Sequence, residues 1–365
     1  MKKINITKSY LPPLEEYQAL LDKIWTSNWV TSGGQMVKEL QRQLALKYEL
    51  HNLSLVSNGT RGLEIATKVV EGSEGEIITT ALSYVATTSS TVWVGAKPVF
   101  ADIDPFTLNV DPAIIRKKVT SRTKGILVTH LFGNPCDTEA ISAIAKEAGV
   151  PVIYDASHAI GVKSKGRFLV NEGDISVVSL HATKIMHTTE GGMVISGHEK
   201  YSNQIHQMAN FGHMGNDRGF YGIGVNGKMS ELHAAMGLCV LSKVDWLIEQ
   251  KKRIANLYDA NLFPAIPARK QRLMEDTVYN YSYYPLILKS EDQVLKIRQA
   301  LNEHNIFPRR YFYPALSTLN YVDYEKMEVA EDMARRLICL PNGYDLERSD
   351  IMRICNIILD QLGKD

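Results

Sequence analysis

One lysine, Lys184, stands at the end of an apolar segment and has a position that suits covalent chemistry. It follows the mostly apolar segment 177–180 and precedes a glycine pair, Gly191 and Gly192, which leads into a second apolar segment. The glycines predict little side-chain bulk around the amine. A lysine amine forms a Schiff base with an aldehyde when burial or a neighbouring cation lowers its pKa enough to leave it neutral. Because most lysines are solvated surface charges, the hypothesis depends on what the rest of the chain places beside Lys184.

A carboxylate and a histidine follow another apolar strand. Asp155 ends the strand at 151–154, and His158 comes three residues later. An aspartate at this point can pair with the protonated nitrogen of a pyridine ring, the interaction that makes pyridoxal phosphate an electron sink. His158 could hydrogen-bond the same ring or its phenolic oxygen. The alternatives are an aspartate that caps the next turn and a histidine with a structural role.

The segment Ser57-Asn58-Gly59-Thr60 closes a strand and opens a helix. Free backbone N–H groups and the helix dipole favour an anion at such a point, so a phosphate could bind there. An ordinary helix cap formed by Asn58 or Thr60 explains the same residues equally well.

The composition limits the classes of partner. A chain of 365 residues with 45% hydrophobic residues is long enough for a large core and two domains. Lys plus Arg (41) nearly balances Asp plus Glu (40), which argues against nucleic acid and favours small molecules. No segment offers the roughly 18 apolar residues of a membrane span. We therefore expect neither a membrane nor a nucleic acid as partner.

The cysteines and the remaining motifs exclude other chemistries. Four cysteines lie far apart without a CxxC spacing, which predicts free thiols in a reduced, cytoplasmic protein. The histidines are dispersed and no HExxH motif occurs, so no metal site is expected. A GxGxxG pattern at 222–227 follows a polar segment instead of a strand, which argues against a dinucleotide site.

The elements that must position the candidate residues alternate between strands and helices from residue 52 onwards. This alternation predicts an α/β protein with a mostly parallel central sheet and helices on both faces, and ligands of such sheets bind at the carboxyl ends of the strands. Two helices, at 14–25 and 37–48, precede the sheet. The predicted strands are 53–56, 76–80, 98–102, 125–130, 151–155 and the two that flank Lys184; the predicted helices between them are 60–70, 84–94, 111–118 and 138–148.

A long helical region at 229–262 follows the sheet and becomes charged near residue 250. We place the domain boundary there. The large domain spans 1–245 and contains the N-terminal helices and the sheet. The small α+β domain spans 246–365, with strands at 279–288 and 306–312 and helices at 293–304 and 351–362.

The order of these segments resembles the DegT/DnrJ/StrS family of sugar aminotransferases, pyridoxal-phosphate enzymes of fold type I, the aspartate aminotransferase fold. Single motifs are weak, but seven in register along nearly the whole chain are specific. They are Trp29 to Gly34, Ser57 to Thr60, Ser83 to Thr87, Gly95 to Asp104, Asp155 to Ala159, the lysine segment, and Asn226 with Met229 to Glu231.

The resemblance implies a role for each candidate around the cofactor ring. Lys184 would bind pyridoxal phosphate covalently and move protons, and Asp155 would pair with the pyridine nitrogen. Tyr84 would stack on the ring face. His158 stands where many relatives carry a glutamine against the phenolic oxygen.

The phosphate group would be bound by a second set of residues. Gly59, Thr60 and Ser179 would contact it with backbone and hydroxyl groups, and Asn226 would reach it from a second subunit. The active site would therefore lie at a homodimer interface.

The sequence departs from the family pattern at a few positions. Ala81 stands where a proline is common, Arg61 and Gly62 replace small or aliphatic residues, and Ser157 replaces an alanine. None of these changes removes a catalytic group. The lysine itself is retained, whereas relatives that became dehydratases carry a histidine, and this argues for amino transfer.

A narrower resemblance concerns the segments 181–184, 190–192 and 134–137, which are similar to family members that aminate C-4 of a sugar. It implies L-glutamate as amino donor and a nucleotide-linked 4-keto-6-deoxyhexose as acceptor, with dTDP-4-keto-6-deoxyglucose as the expected substrate and dTDP-4-amino-4,6-dideoxyglucose for surface-glycan (O-antigen) synthesis as the product. The candidates for contacts with the nucleotide sugar or the donor carboxylate are Arg309, Arg310 and Tyr311, for which a solvated basic strand end is the alternative.

Two other functions stay open. The chain could aminate C-3, or act on a UDP- or GDP-linked sugar. It could also be a regulator that keeps the fold and the cofactor without turnover, although a protein that only binds needs no amine nucleophile beside an acid.

Overall fold

The computed structural model describes residues 2–70, 74–215, 218–263, 265–266 and 268–362. The strands, in chain order, are β1 (Ile4–Asn5), β2 (Leu53–Val56), β3 (Glu76–Thr80), β4 (Lys97–Ala101), β5 (Thr123–Thr129), β6 (Val152–Asp155), β7 (Lys163–Ser164), β8 (Arg167–Phe168), β9 (Ile175–Ser179), β10 (Gly192–Ser196), β11 (Thr277–Val278), β12 (Pro285–Ile287), β13 (Ile306–Phe307) and β14 (Leu337–Cys339).

The helices alternate with these strands in the first two thirds of the chain. They are α1 (Leu14–Ser27), α2 (Gln35–Tyr48), α3 (Gly59–Val69), α4 (Ala86–Trp93), α5 (Pro112–Lys118), α6 (Thr138–Ala148), α7 (Glu199–Ala209), α8 (Glu231–Leu241), α9 (Val244–Leu262), α10 (Glu291–Glu303), α11 (Glu328–Arg336) and α12 (Arg348–Leu362).

In the described part of the chain, seven strands form the central sheet in the order β2-β10-β9-β6-β5-β3-β4. The neighbours from β9 to β4 pair in parallel, and β10 runs antiparallel to both β9 and β2. The predicted α/β fold with a mostly parallel sheet is confirmed. Because β5, β6 and β9 run in one direction, their carboxyl ends meet at one edge, where Thr129 pairs with Asp155.

Alternate residues of a strand point to opposite faces of the sheet, and here both faces carry apolar residues. Helices therefore cover both faces. On β9, Val178 belongs to a core formed with α1, α2 and α8, whereas Val177 belongs to a core formed with α3 and α7. The same alternation separates Leu55 from Val56 on β2. The edge of the sheet, and not its faces, is therefore the place left for a ligand.

A further core lies in the C-terminal part and includes the start of the chain. The strand β1 pairs in parallel with β13, and Ile4 is buried among residues of α9, α10 and α12. Helix α9 joins the two regions, since Leu247 packs in the core with α1 and α2 and Tyr258 packs in the C-terminal core. A domain boundary near residue 245 stays a prediction.

Some predicted elements differ from the observed ones. The helix predicted at 229–262 is two helices, because α8 ends at Leu241 and α9 begins at Val244. The strand predicted at 279–288 is regular only at Pro285–Ile287, and the one at 306–312 only at Ile306–Phe307. Helices α7 and α11 were not predicted. None of the described helices combines the length and the apolar character needed to cross a membrane.

Candidate active site

A cavity of about 500 Å³ opens at the carboxyl edge of the central sheet. Its wall brings together residues that lie up to about 250 positions apart in the chain. Of the predicted site residues, it is lined by Gly59, Thr60, Tyr84, Asp155, His158, Ser179, Lys184 and Tyr311.

Lys184 lies in the turn that follows β9, and its side chain is half-buried. The amine Nζ donates a hydrogen bond to Tyr283 Oη at 3.0 Å. Burial lowers the pKa of the Lys184 amine, and Asp155 opposes part of that shift. The net shift is towards the neutral amine, which is the reactive form.

Asp155 ends β6 and is 4% exposed. Its Oδ2 accepts a hydrogen bond from Thr87 Oγ1 at 2.9 Å, and its Oδ1 accepts one from the Ser157 N–H at 3.1 Å. Behind Thr87, the hydroxyls of Ser83 and Thr129 continue the network at 2.9 Å and 2.8 Å. Because the Thr87 hydrogen goes to Asp155, Ser83 must donate to Thr87 and Thr129 to Ser83, so three hydroxyls support one carboxylate.

His158 is buried beside the lysine, and its tautomer follows from one contact. The backbone N–H of Phe132 donates to His158 Nδ1 at 3.1 Å. Burial first, and then the nearby Lys184 and His130, hold the pKa of His158 well below its ordinary value. A neutral ring that accepts at Nδ1 carries its proton on Nε2. His158 can therefore donate a hydrogen bond from Nε2.

The amino end of α3 forms the opposite wall. Asn58 Oδ1 caps the helix by accepting from the Arg61 N–H at 2.7 Å. The N–H groups of Gly59 and Thr60 precede the intrahelical hydrogen bonds, and no described residue accepts from them. They remain available to an anion at the positive end of the helix dipole.

The glycine pair after Lys184 has a different role from the predicted one. A Cβ at Gly192 would lie 2.7 Å from the backbone carbon of Asn58 and 2.8 Å from the Gly59 nitrogen. A Cβ at Gly191 would lie 2.0 Å from Thr188 Oγ1. The glycines therefore admit the backbone of the α3 turn and the neighbouring loop, and they do not clear space around the lysine amine.

Tyr84 lines the cavity, whereas Asn226 lies outside it. The Tyr84 side chain is 55% exposed, and its ring packs against that of Phe312 with 6.0 Å between the centroids. Asn226 is exposed and bridges to Asn210 through its backbone. It is not among the side chains that line the cavity.

The basic candidates lie beside the cavity. Arg309 and Arg310 line a groove of about 400 Å³ that shares Tyr84, Tyr311 and Phe312 with the cavity. The guanidinium of Arg310 donates to Glu291 at 2.5 Å and lies over the Tyr313 ring. Of the three candidates, Tyr311 alone lines the cavity in the described residues.

Several site residues were missed by the sequence prediction. Tyr283, Phe312 and Phe132 lie outside the quoted motifs, whereas Thr87, His181 and Glu190 lie in those motifs but were given no contact in the site. The one available signal was the density of tyrosine at 279–284, where four of six residues are tyrosine. The described residues contain no group of three or more His, Cys, Asp or Glu side chains that could hold a metal ion.

Comparison with known proteins gives relatives that match nearly the whole chain. A dTDP-4-amino-4,6-dideoxy-D-glucose transaminase from Shigella dysenteriae is 37% identical over 357 residues, covering 96% of each chain. A GDP-perosamine synthase from Escherichia coli O157:H7 is 31% identical, covering 91% of this chain and 92% of that one. The solved structure of DesI in the presence of its TDP-sugar product has a TM-score of 0.91 at 28% identity, covering 98% of this chain and 93% of that one.

The fold and the site together define a pyridoxal-phosphate-dependent aminotransferase of fold type I. The model of the DegT/DnrJ/EryC1/StrS aminotransferase family matches residues 14–359, and the chain belongs to that family. The predicted family, fold type, cofactor and transaminase class are confirmed.

The residues of the cavity fit pyridoxal phosphate. The free N–H groups of Gly59 and Thr60 suit the phosphate, and the buried carboxylate of Asp155 suits a protonated ring nitrogen. His158 Nε2 offers a donor to the phenolic oxygen, and Lys184 offers an amine of lowered pKa to the aldehyde. When bound, the cofactor supplies the carbonyl group that carries the amino group and the ring that delocalises charge.

Proposed function

We propose that the protein transfers the amino group of L-glutamate to C-4 of a nucleotide-linked 4-keto-6-deoxyhexose, with dTDP-4-keto-6-deoxyglucose as the substrate. The product would be dTDP-4-amino-4,6-dideoxyglucose for surface-glycan (O-antigen) synthesis. The observation that carries this proposal is the similarity, over nearly the whole chain, to a transaminase named for that product. Retention of Lys184 beside Asp155 supports turnover over binding alone.

Lys184 and Asp155 would have separate roles in the reaction. Once the Lys184 amine is no longer bonded to the cofactor, it would accept the proton from the α-carbon of glutamate. The same amine would return this proton at the far carbon of the 1,3-proton shift. Asp155, supported by Thr87, would keep a positive charge on the ring nitrogen through both halves of the reaction. L-Glutamate would leave as 2-oxoglutarate, and the keto sugar would leave as the amino sugar.

The groove beside the cavity is our proposed site for the rest of the nucleotide sugar or for the donor carboxylate. Arg309 is exposed on its wall, and Tyr311 connects the groove with the cavity. Arg310 would support this wall through its contacts with Glu291 and Tyr313.

We also propose a homodimer in which Asn226 of each subunit contacts the cofactor phosphate of the other. Its exposure, and its position away from the cavity of its own subunit, support this arrangement. A cytoplasmic location is likewise a proposal, supported by four free, buried cysteines, Cys136, Cys239, Cys339 and Cys355.

The test begins with the visible absorbance of the purified protein loaded with pyridoxal phosphate. We expect L-glutamate to bleach the band and dTDP-4-keto-6-deoxyglucose to restore it, with the new amine at C-4 by NMR. Lys184→Ala should lose the band and the turnover because no amine remains to bind the aldehyde. Lys163→Ala is the matched control, since Lys163 lies over the Phe168 ring outside the cavity.

Other outcomes separate the alternatives. An amine at C-3 would contradict the position that we propose. Preference for a GDP-linked keto sugar would support the second candidate function, which the GDP-perosamine synthase relative favours. A bound cofactor that no amino donor bleaches would indicate a regulator.

A further inference from the structure

Tyr283 makes the hydrogen bond that holds the amine of Lys184. It belongs to the irregular segment between β11 and β12, and its Oη lies 3.0 Å from Lys184 Nζ. Among the described residues, no other side chain hydrogen-bonds this amine. The two residues are 99 positions apart, so the contact depends on how the C-terminal part packs against the sheet edge.

The Tyr283 ring is fixed on several sides. Its centroid lies 5.2 Å from that of Phe132, 4.7 Å from that of His158 and 5.8 Å from that of Tyr311. The contact with His158 is edge-to-face. Aromatic contacts of this kind restrict the ring to one orientation, so the hydroxyl has a defined place in the cavity.

The backbone of the segment is also tied to the sheet edge. Asn280 Nδ2 donates to the carbonyls of His158 at 2.8 Å and Ile160 at 2.7 Å, and Asn280 Oδ1 accepts from the Ser282 N–H at 3.0 Å. The loop that carries His158 and the segment that carries Tyr283 are therefore one connected unit.

The charge states of Lys184 and Tyr283 determine the kind of contact between them. Burial raises the pKa of Tyr283, so the phenol keeps its proton, and burial lowers the pKa of Lys184, which shifts the amine towards its neutral form. The contact is a hydrogen bond between an amine and a phenol, not an ion pair. An amine whose nitrogen is held 3.0 Å from a fixed oxygen has its position restricted, and a base works best when it is so placed.

We propose that Tyr283 is a positioning residue, whose hydroxyl holds the Lys184 amine in place while that amine is not bonded to the cofactor. The inference rests on the proposed function only in taking Lys184 as the cofactor lysine. It adds a residue from the C-terminal part of the chain to the proton-transfer machinery.

The first test uses the protein without cofactor and the variant Tyr283→Phe, which removes only the hydroxyl. Acetic anhydride labels neutral amines, and peptide mass spectrometry gives the pH at which Lys184 is half modified. We expect this pH to fall by about 0.5–1 unit, because the phenol oxygen stabilises the charged amine more than the neutral one. Tyr281→Phe is the matched control, two residues away and with no described hydrogen bond from its hydroxyl.

The second test uses the loaded enzyme. For Tyr283→Phe we expect kcat with L-glutamate to fall about 10-fold or more, with KM changed less than about 2-fold. The kinetic isotope effect with α-deuterated glutamate should rise, because proton transfer becomes slower than the other steps. Tyr281→Phe should match the wild type in each measurement.

An unchanged labelling pH together with an unchanged isotope effect in Tyr283→Phe would overturn the proposal. A wild-type protein that does not react with glutamate would contradict the proposed function instead, and the labelling of Lys184 would still report on Tyr283.

Discussion

The carboxylate of Asp155 depends on a network that runs back into the protein. Thr87 donates to it, Ser83 donates to Thr87, and Thr129 donates to Ser83. All four side chains are buried. Such a chain keeps the carboxylate in one orientation and gives it a fixed hydrogen-bond donor.

Replacing one hydroxyl of this network should weaken the cofactor site. In Thr87→Val, Asp155 Oδ2 and Ser83 each lose a buried partner, at a cost of about 1–3 kcal/mol. We expect the Kd for pyridoxal phosphate to rise about 10-fold, measured by titration of the visible band. Thr88→Val is an isosteric control at the next residue, because the buried Thr88 hydroxyl has no partner among the described residues. It should bind the cofactor as the wild type does, and equal losses in both variants would contradict a role for the network.

At the scale of elements, the turn from β2 into α3 is held by close backbone packing against β9 and β10. A Cβ at Gly59 would lie 2.9 Å from Ser179 Cβ, and one at Gly192 would lie 2.7 Å from the Asn58 carbonyl carbon. The N–H groups that suit a phosphate are thus placed by two strands as well as by their own helix.

A methyl group at Gly192 should displace this turn. In Gly192→Ala the new carbon meets backbone, which cannot rotate away as a flexible side chain can, so the N–H groups of Gly59 and Thr60 move from their place. We expect weaker binding of pyridoxal phosphate, by about 10-fold or more, and a lower Tm. Gly197→Ala, just beyond the same strand, has nothing within 4 Å of the new carbon and should change neither quantity. Cofactor affinity that is retained in Gly192→Ala would show that the turn tolerates the displacement.

The strands of the sheet could be predicted because each is a short apolar segment between turn residues, as at 53–56 and 76–80. The prediction of one helix at 229–262 was wrong because most residues of α8 are buried and α9 buries one face. Apolar residues therefore continue on both sides of the break at 242–243. Lys184 and Asp155 are visible as motifs at strand ends. The roles of Tyr283 and Thr87 could not be predicted, since they come from contacts between segments 99 and 68 positions apart in the chain.

At the scale of the whole molecule, a group of exposed apolar side chains supports the proposed homodimer. The loop that contains Asn226 carries Phe211, Phe220, Tyr221 and Ile223, which are 48%, 65%, 50% and 86% exposed. Apolar side chains this exposed and this close in sequence are typical of a protein interface. A second subunit would cover them and bring Asn226 to its cavity.

Mixed dimers test this arrangement directly. Lys184→Ala and Asn226→Ala are each expected to lose most activity at limiting pyridoxal phosphate. The first variant lacks the amine, and the second lacks the contact with the cofactor phosphate. If Asn226 serves the partner's site, a dimer of one subunit of each kind has one doubly defective site and one intact site. Random exchange of subunits should then restore about one quarter of the wild-type activity, since half of the dimers are mixed and half of their sites are intact. If Asn226 serves its own subunit, no mixed dimer has an intact site, and mixing will restore nothing.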